Sequence, residues 1–135
     1  MQFGRRPTII IRRIQIPVQH NTERYVEWLC DCLGFGGDEL AIEIFKDLLK
    51  ANYEGKSQSS TELCKGKEVT RAAVIYHLNK FIERGLIERR GRAYSLRDAT
   101  LTSTIEEIEE DIIRYFKRLK EVAKKIDEER SIPVQ

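Results

Sequence analysis

Apolar residues recur at helical spacing in two neighbouring segments of the chain. Residues 22–33 form the first predicted helix, which ends at Gly34. Residues 38–53 form the second, for which Asp38 is a favourable N-cap. The second helix is expected to turn its apolar residues inward: Ala41, Ile44, Phe45, Leu48 and Leu49.

Strands are predicted at two other places. Residues 8–16 are rich in β-branched side chains and lie between Pro7 and Pro17, which favours one strand. Residues 86–96 alternate between apolar and polar positions with Gly91 near the middle, so they are predicted to form a β-hairpin. The tip of this hairpin carries three arginines: Arg89, Arg90 and Arg92.

Two further helices are predicted between a polar loop at residues 54–58 and the hairpin. Ser59 and Glu62 have the serine-x-x-glutamate spacing of a capping box, which begins a short helix. Thr70 can cap a longer helix over residues 70–84. Two helices joined by so short a turn are typical of a helix-turn-helix.

The C-terminal third has the most regular apolar pattern of the chain. Apolar residues recur there in a heptad pattern, at Leu101, Ile105, Ile108, Ile112, Tyr115, Leu119, Val122 and Ile126. A single helix of about 28 residues, roughly 40 Å long, cannot bury this seam against itself. We therefore expect the seam to be the interface of a homodimer, parallel or antiparallel. Packing along the chain's own domain is the alternative, since Phe116 and Ala123 widen the apolar stripe.

Together these elements predict a mainly α protein with a small β-hairpin, in the α+β class. Residues 1–36 are expected to form an N-terminal extension of one strand and one helix. Residues 37–98 would hold the helix-turn-helix and the hairpin. Residues 99–130 would form a long C-terminal coiled-coil helix for dimerisation.

Composition narrows the class of protein further. The chain has 135 residues and a mass of 15.8 kDa, which excludes a large two-domain enzyme. No apolar run approaches the about 20 residues of a membrane-spanning helix, and no signal peptide is visible, so a cytoplasmic protein without a membrane partner is expected. The three cysteines are an odd number and fit a reducing compartment better than a disulfide framework.

Basic residues are concentrated in two segments, although the net charge is only +2. Residues 1–20 contain four arginines and no acidic residue. Residues 65–97 contain nine lysines and arginines against three acidic residues. Such segments are typical of a protein that binds a polyanion, although a run of charges is also common on an ordinary solvated surface.

The predicted helix over residues 70–84 has two different faces. Its apolar side is expected to pack on the helix over residues 38–53 and carries Val69, Ala73, Val74, Leu78, Phe81 and Ile82. The opposite side carries Thr70, Arg71, Ala72, Ile75, Tyr76, Asn79 and Lys80. Arg71 can bond a guanine edge or a phosphate, and Asn79 can pair with adenine. Ala72 and Ile75 suit a thymine methyl group, and the remaining three side chains suit phosphate contact.

The order of helix, short helix, turn, long helix and basic hairpin resembles the winged helix-turn-helix of prokaryotic transcription regulators. The similarity is to the arsenic-repressor-like and multiple-antibiotic-resistance-regulator-like groups. It rests on Thr61-Glu62-Leu63, on residues 69–78 and on residues 85–92, which together cover less than half of the chain. The resemblance implies that the hairpin arginines reach a neighbouring minor groove or the DNA backbone. It also implies that His77 is a packed structural residue.

Metal sensing and catalysis have little support in the sequence. Cys30-Asp31-Cys32 is similar to the Cys-x-Cys of metal-sensing arsenic-repressor-like proteins, but it lies upstream of the predicted helix-turn-helix. Side chains two positions apart on a helix also point in different directions, so they cannot bind one ion together. We expect small buried cysteines, no metal, no cofactor and, because no catalytic motif is present, no enzymatic activity.

The sequence therefore predicts a sequence-specific transcriptional regulator that binds double-stranded DNA as a homodimer. One alternative is a winged-helix protein-interaction module in a transcription or RNA-processing assembly. The other is a sensor gated by a metal or a small-molecule ligand, whose identity the sequence does not reveal.

Overall fold

A computed structural model describes residues 21–130 of the chain. The protein is mainly helical and has a small antiparallel sheet. Its elements in chain order are α1 (Thr22–Cys32), α2 (Glu39–Tyr53), β1 (Gln58–Ser59), α3 (Ser60–Cys64), α4 (Arg71–Glu83), β2 (Ile87–Arg90), β3 (Ala93–Leu96) and α5 (Leu101–Glu129). The predicted strand at residues 8–16 and the four arginines of residues 1–20 lie outside the described residues.

Polar side chains fix the starts of the central helices. Asp38 and Thr70 each accept a hydrogen bond, 3.1 Å long, from the backbone amide three residues further on. Ser59 and Glu62 form the predicted capping box, with two hydrogen bonds of 3.0 and 3.1 Å. These bonds satisfy amides that the first turn of a helix leaves unpaired, so they determine where α2, α3 and α4 begin.

The sheet has three strands in the order β1-β3-β2. β2 and β3 form the predicted hairpin, in which Ile87 lies opposite Leu96 and Arg90 lies opposite Ala93. β1 pairs with the other edge of β3 and places Ser59 opposite Ala93. β1 was not predicted from the sequence, because a strand of two residues carries no alternating pattern.

One hydrophobic core joins the helices to the sheet. Phe81 of α4 is fully buried, and its ring centroid lies 4.6 Å from that of Phe35 and 5.6 Å from that of Phe45. Val26 of α1 and Ile108 of α5 belong to the same cluster. The core therefore crosses the predicted domain limits after residues 36 and 98, and α1 and the first half of α5 pack with the central helices.

α5 is covered by its own chain over its first half only. The first four residues of the heptad seam pack in or against the core: Leu101, Ile105, Ile108 and Ile112. Three seam residues further along are more than half exposed: Leu119, Val122 and Ile126. The expectation that all eight seam residues face a partner is therefore wrong for Ile108, which is only 3% exposed, while Leu101, Ile105 and Ile112 are partly covered. The chain's own core offers these residues an apolar surface without a second molecule.

A buried ion pair joins the end of the sheet to α5. Arg97, which follows β3 directly, donates a hydrogen bond of 2.6 Å to Asp111 and lies 3.0 Å from Glu107. Asp111 is 3% exposed and also accepts a hydrogen bond from Arg114. Because a charge that loses its partner in the interior is costly, this pair fixes the base of the hairpin against α5.

Replacement of Asp111 by alanine is expected to lower the free energy of unfolding by about 3 kcal/mol, because Arg97 then loses its buried hydrogen-bonded carboxylate. Urea denaturation measures the loss. Arg114→Ala is the matched control, since it removes the exposed partner of the same carboxylate and should cost less than about 1 kcal/mol. Equal losses in the two variants would show that Arg97 does not depend on Asp111.

Candidate nucleic-acid interface

α4 has the two faces predicted from its sequence. Its inner face carries the buried side chains of Val74, Leu78 and Phe81. On the outer side five residues are exposed, namely Thr70, Arg71, Ala72, Tyr76 and Asn79, and two are half-buried, namely Ile75 and Lys80. All seven residues proposed for DNA contact at the start and on the outer side of α4 are therefore accessible, at least in part.

The first residue of α4 is linked to the hairpin through α3 and β1. Arg71 donates a hydrogen bond of 3.0 Å from Nε to the Oγ of Ser60. Ser60 follows Ser59, which pairs with Ala93 of β3, and Ala93 in turn lies opposite Arg90 of β2. Because neighbouring strands lie about 4.8 Å apart, only a few such spacings separate the start of α4 from the hairpin end.

Tyr76 and Lys80 form a contact on the outer face of α4. The Nζ of Lys80 lies 5.5 Å from the centroid of the Tyr76 ring, within the range of a cation–π interaction. The ring of His77, the next residue along α4, meets the Tyr76 ring edge-on, with 5.3 Å between the two ring centroids. Tyr76 thus contacts two neighbours of its own helix while it stays 58% exposed.

The hairpin arginines do not all point the same way. Successive residues of a strand face opposite sides of the sheet. Arg89 shares a side with Tyr94 and lies 5.8 Å from the centroid of that ring. Arg90 lies on the other side, highly exposed and 3.3 Å from Glu88. Arg92 is exposed in the turn. The three arginines are at the hairpin end, as predicted, but they do not form one patch.

Three other basic residues of the central segment serve the fold. Lys67 lies 2.5 Å from Asp47 and also donates to a backbone carbonyl of α3. Arg84 donates to a carbonyl at the end of α1 and covers the ring of Phe35 at 4.9 Å. Arg97 holds the buried carboxylate of α5. Counting charges along the sequence therefore overestimates the positive charge that a polyanion could contact.

His77 is a packed residue, as predicted. Its side chain is buried in α4, and its Nε2 lies 3.7 Å from Oδ2 of Asp38, the N-cap of α2. This separation is longer than a hydrogen bond. The histidine therefore contributes to the contact between α4 and the start of α2.

Cys30 and Cys32 lie in α1, and Cys64 is the last residue of α3. Cys30 is buried, and desolvation raises the pKa of its thiol to about 12. Cys32 and Cys64 are half-buried, and burial followed by the charge of Asp31 raises the pKa of Cys32. Raised pKa values disfavour the thiolate, which is the metal-binding form. Within residues 21–130, no three His, Cys, Asp or Glu side chains are grouped closely enough to hold a metal ion.

Comparisons with protein-family models, with curated proteins and with solved structures find no match to this chain. Among residues 21–130, no helix combines the length and the apolar character needed to cross a lipid bilayer. Proposals about function therefore depend on the geometry of the described residues.

Cys30 gives the stability of the protein a pH dependence with a definite sign. Its thiol has a pKa of about 12 in the folded protein, against an ordinary value of 9.0. The unfolded chain loses this proton first as the pH rises, so the stabilisation is complete below the ordinary pKa and is lost as the pH approaches the folded one. We expect urea denaturation at about pH 7 and about pH 10.5 to show a larger loss of unfolding free energy for the wild type than for Cys30→Ala. Equal losses would exclude the thiol as the cause.

Proposed function

We propose that this protein is a sequence-specific transcriptional regulator that binds double-stranded DNA as a homodimer. The succession of α2, β1, α3, α4 and the hairpin β2–β3 supports the interpretation as a winged helix-turn-helix, in which α4 would be the recognition helix and the hairpin the wing. α1 and the first half of α5 support this unit from its core.

The observation that carries the proposal is the short path from the start of α4 to the hairpin end. Arg71 reaches the Oγ of Ser60, and the next strand pairing leads to Arg90 and the turn. A B-DNA major groove about 12 Å wide admits an α-helix, and a basic loop beside the start of that helix can contact phosphates or the adjacent minor groove. One outer face and one neighbouring basic loop support DNA binding better than either feature would alone.

The exposed side chains of α4 divide into candidates for base contact and candidates for phosphate contact. Arg71 and Asn79 have the donor and acceptor groups to bond base edges, and Ala72 and Ile75 can touch thymine methyl groups. Three residues suit phosphate contact: Thr70, Tyr76 and Lys80. In the wing, Arg90 and Arg92 are the exposed candidates for backbone or minor-groove contact, while Arg89 contributes from the side of the hairpin that carries Tyr94.

The uncovered half of α5 supports the homodimer. Four apolar side chains there are each more than half exposed: Phe116, Leu119, Val122 and Ile126. A contiguous apolar surface of this kind usually marks an interface. Two identical heads related by a two-fold axis would bind a pseudo-palindromic site, with half-sites about one helical turn or a multiple of it apart.

Alanine at Arg71 or at Asn79 is expected to weaken binding to the preferred duplex by about 1–3 kcal/mol and to relax the preference at one base pair. Mobility-shift titration against genomic fragments, followed by single-base variants of the selected site, measures both effects. Arg24→Ala, which removes an exposed arginine of α1, is the control and should bind as the wild type does. Duplex binding that survives both α4 substitutions unchanged would exclude the outer face of α4 as the recognition surface.

Arg90→Ala is expected to weaken binding to all duplexes alike and to reduce the slope of log K against log salt concentration by about one, because a backbone contact releases counterions. Fluorescence anisotropy over a salt series, with a preferred and an unrelated duplex, gives the slope. A loss confined to the preferred duplex, at an unchanged slope, would assign Arg90 to base recognition instead.

Leu119→Asp is expected to convert the homodimer into a monomer. The side chain is exposed in the single chain, so the substitution should leave the unfolding free energy of the monomer nearly unchanged, while a buried carboxylate would be costly in the interface. Sedimentation velocity over a concentration series measures the association. Glu68→Ala, at an exposed position outside α5, is the control. A dimer that persists in Leu119→Asp would show that α5 does not form the interface.

A further inference from the structure

An apolar groove lies between α1, α2 and the start of α5. Its volume is about 560 Å³, and its lining includes Trp28, Leu29 and Leu101. Tyr53, which also lines it, is 70% exposed. Size and apolar lining together are typical of a surface that binds another molecule. No residue of α4 or of the hairpin β2–β3 lines the groove, so the groove is a surface distinct from the one proposed to bind DNA.

A second uncovered apolar surface lies on the same polypeptide. Leu119, Val122 and Ile126 continue the seam of α5 past the part that the described core covers. Ile113 and Phe116 are also more than half exposed and widen this surface. At about 100° per residue, these two lie on the side of α5 that carries Glu109 and Lys120. The helix and the groove are thus two apolar surfaces that each lack a cover within residues 21–130.

The charges of α5 form three blocks. Residues 106–111 contain five acidic residues and no base, residues 114–125 contain six bases and one acid, and residues 127–129 are all acidic. Two parallel helices in register would set the basic block against itself. Two antiparallel helices that cross near residue 115 would set it against the acidic block, with Glu106 opposite Lys124 of a second copy. The charge pattern therefore favours the antiparallel pair.

The same crossing point brings the end of α5 to the groove. If the two-fold axis that relates the two helices passes near residue 115, Glu129 of a second copy lies opposite Leu101, which lines the groove. The acidic residues around Glu128 then approach a lining that contains two lysines, Lys46 and Lys50, and one acidic residue, Glu23. Lys46 lies 3.9 Å from Glu27, whereas Lys50 is exposed. The axis that matches the charge blocks of α5 thus also brings the acidic end of a second copy towards the groove.

We propose that the groove receives the C-terminal end of α5 from a second copy of this chain, in a reciprocal antiparallel pair. The proposal rests on the homodimer proposed above and specifies its geometry. Ile126 supplies an apolar side chain to the neighbourhood of the groove, and the acidic end of the helix pairs with the groove lysines. Because each copy fills the groove of the other, the contact is isologous and closes at two subunits.

Tyr53→Ser tests the groove without disturbing the core, because Tyr53 is 70% exposed in the single chain. The dissociation constant of the dimer, measured by sedimentation, is expected to rise at least about tenfold, since aromatic residues buried in an interface carry much of its binding energy. Tyr76→Ser is the matched control, because Tyr76 is 58% exposed on α4 and lies outside the proposed contact. A dissociation constant equal to that of the wild type in Tyr53→Ser would overturn the proposal.

Charge reversal tests the occupant of the groove. Lys50→Glu alone and Glu128→Lys alone are each expected to weaken the dimer several-fold. The two substitutions together should recover most of the loss, because the opposite charges then meet again across the interface. A double variant as weak as the sum of the single ones would mean that the two residues do not meet.

Trp28 provides a direct signal, because it is the only tryptophan of the chain and lines the groove. Acrylamide should quench its fluorescence more strongly in the Leu119→Asp monomer than in the wild-type dimer. Equal quenching would show either that the groove stays open in the dimer or that the chain's own segment or a small molecule already fills it. Both outcomes overturn docking of a second copy.

Failure of this proposal and failure of the homodimer give different results. A wild-type dimer that Leu119→Asp dissociates and Tyr53→Ser leaves intact keeps the homodimer and overturns the groove contact. A wild-type protein that sediments as a monomer at all accessible concentrations overturns both. Duplex binding is measured separately and does not enter either result.

Discussion

The packing of Phe81 determines which side of α4 faces outward. Its ring is fully buried and contacts the rings of Phe35, between α1 and α2, and of Phe45 within α2. An aromatic side chain buries roughly 150–250 Å², so a rotation of α4 that exposed this ring would cost several kcal/mol. Arg71 and Asn79 therefore stay on the solvent side whether or not a ligand is present. The candidate interface is a consequence of core packing and needs no rearrangement to form.

Elements that begin through local chemistry could be predicted from the sequence. The capping side chains bond backbone amides only three residues away, in the cases of Asp38, Thr70 and the Ser59–Glu62 pair. Their spacing in the sequence therefore indicates by itself where helices start. β1 depends instead on its pairing with β3, which lies more than thirty residues away along the chain. A two-residue segment whose structure comes from so distant a partner has no signal of its own.

Periodicity and charge identify what a residue can do, but they do not identify its partner. Ile108 and Leu119 belong to the same heptad seam, yet the first is in the core and the second is exposed. Arg90 and Arg97 belong to the same basic segment, yet Arg90 is exposed while Arg97 holds Asp111. In each pair the difference is tertiary, because it depends on whether the folded chain places a complementary surface beside the residue.

Arg97 also joins the hairpin, which is proposed to contact DNA, to α5, which is proposed to form the dimer interface. It follows β3, so the hairpin fixes its position, and it donates to Asp111 within the covered half of α5. Gly85, just after α4, permits this approach, since its φ is +77° and a Cβ there would lie 3.3 Å from Nη1 of Arg97. The end of α4, the base of the hairpin and α5 thus meet at one ion pair. In the proposed dimer this pair restrains the angle between the hairpin and α5, so the association of α5 would set the spacing of the two heads proposed to bind DNA.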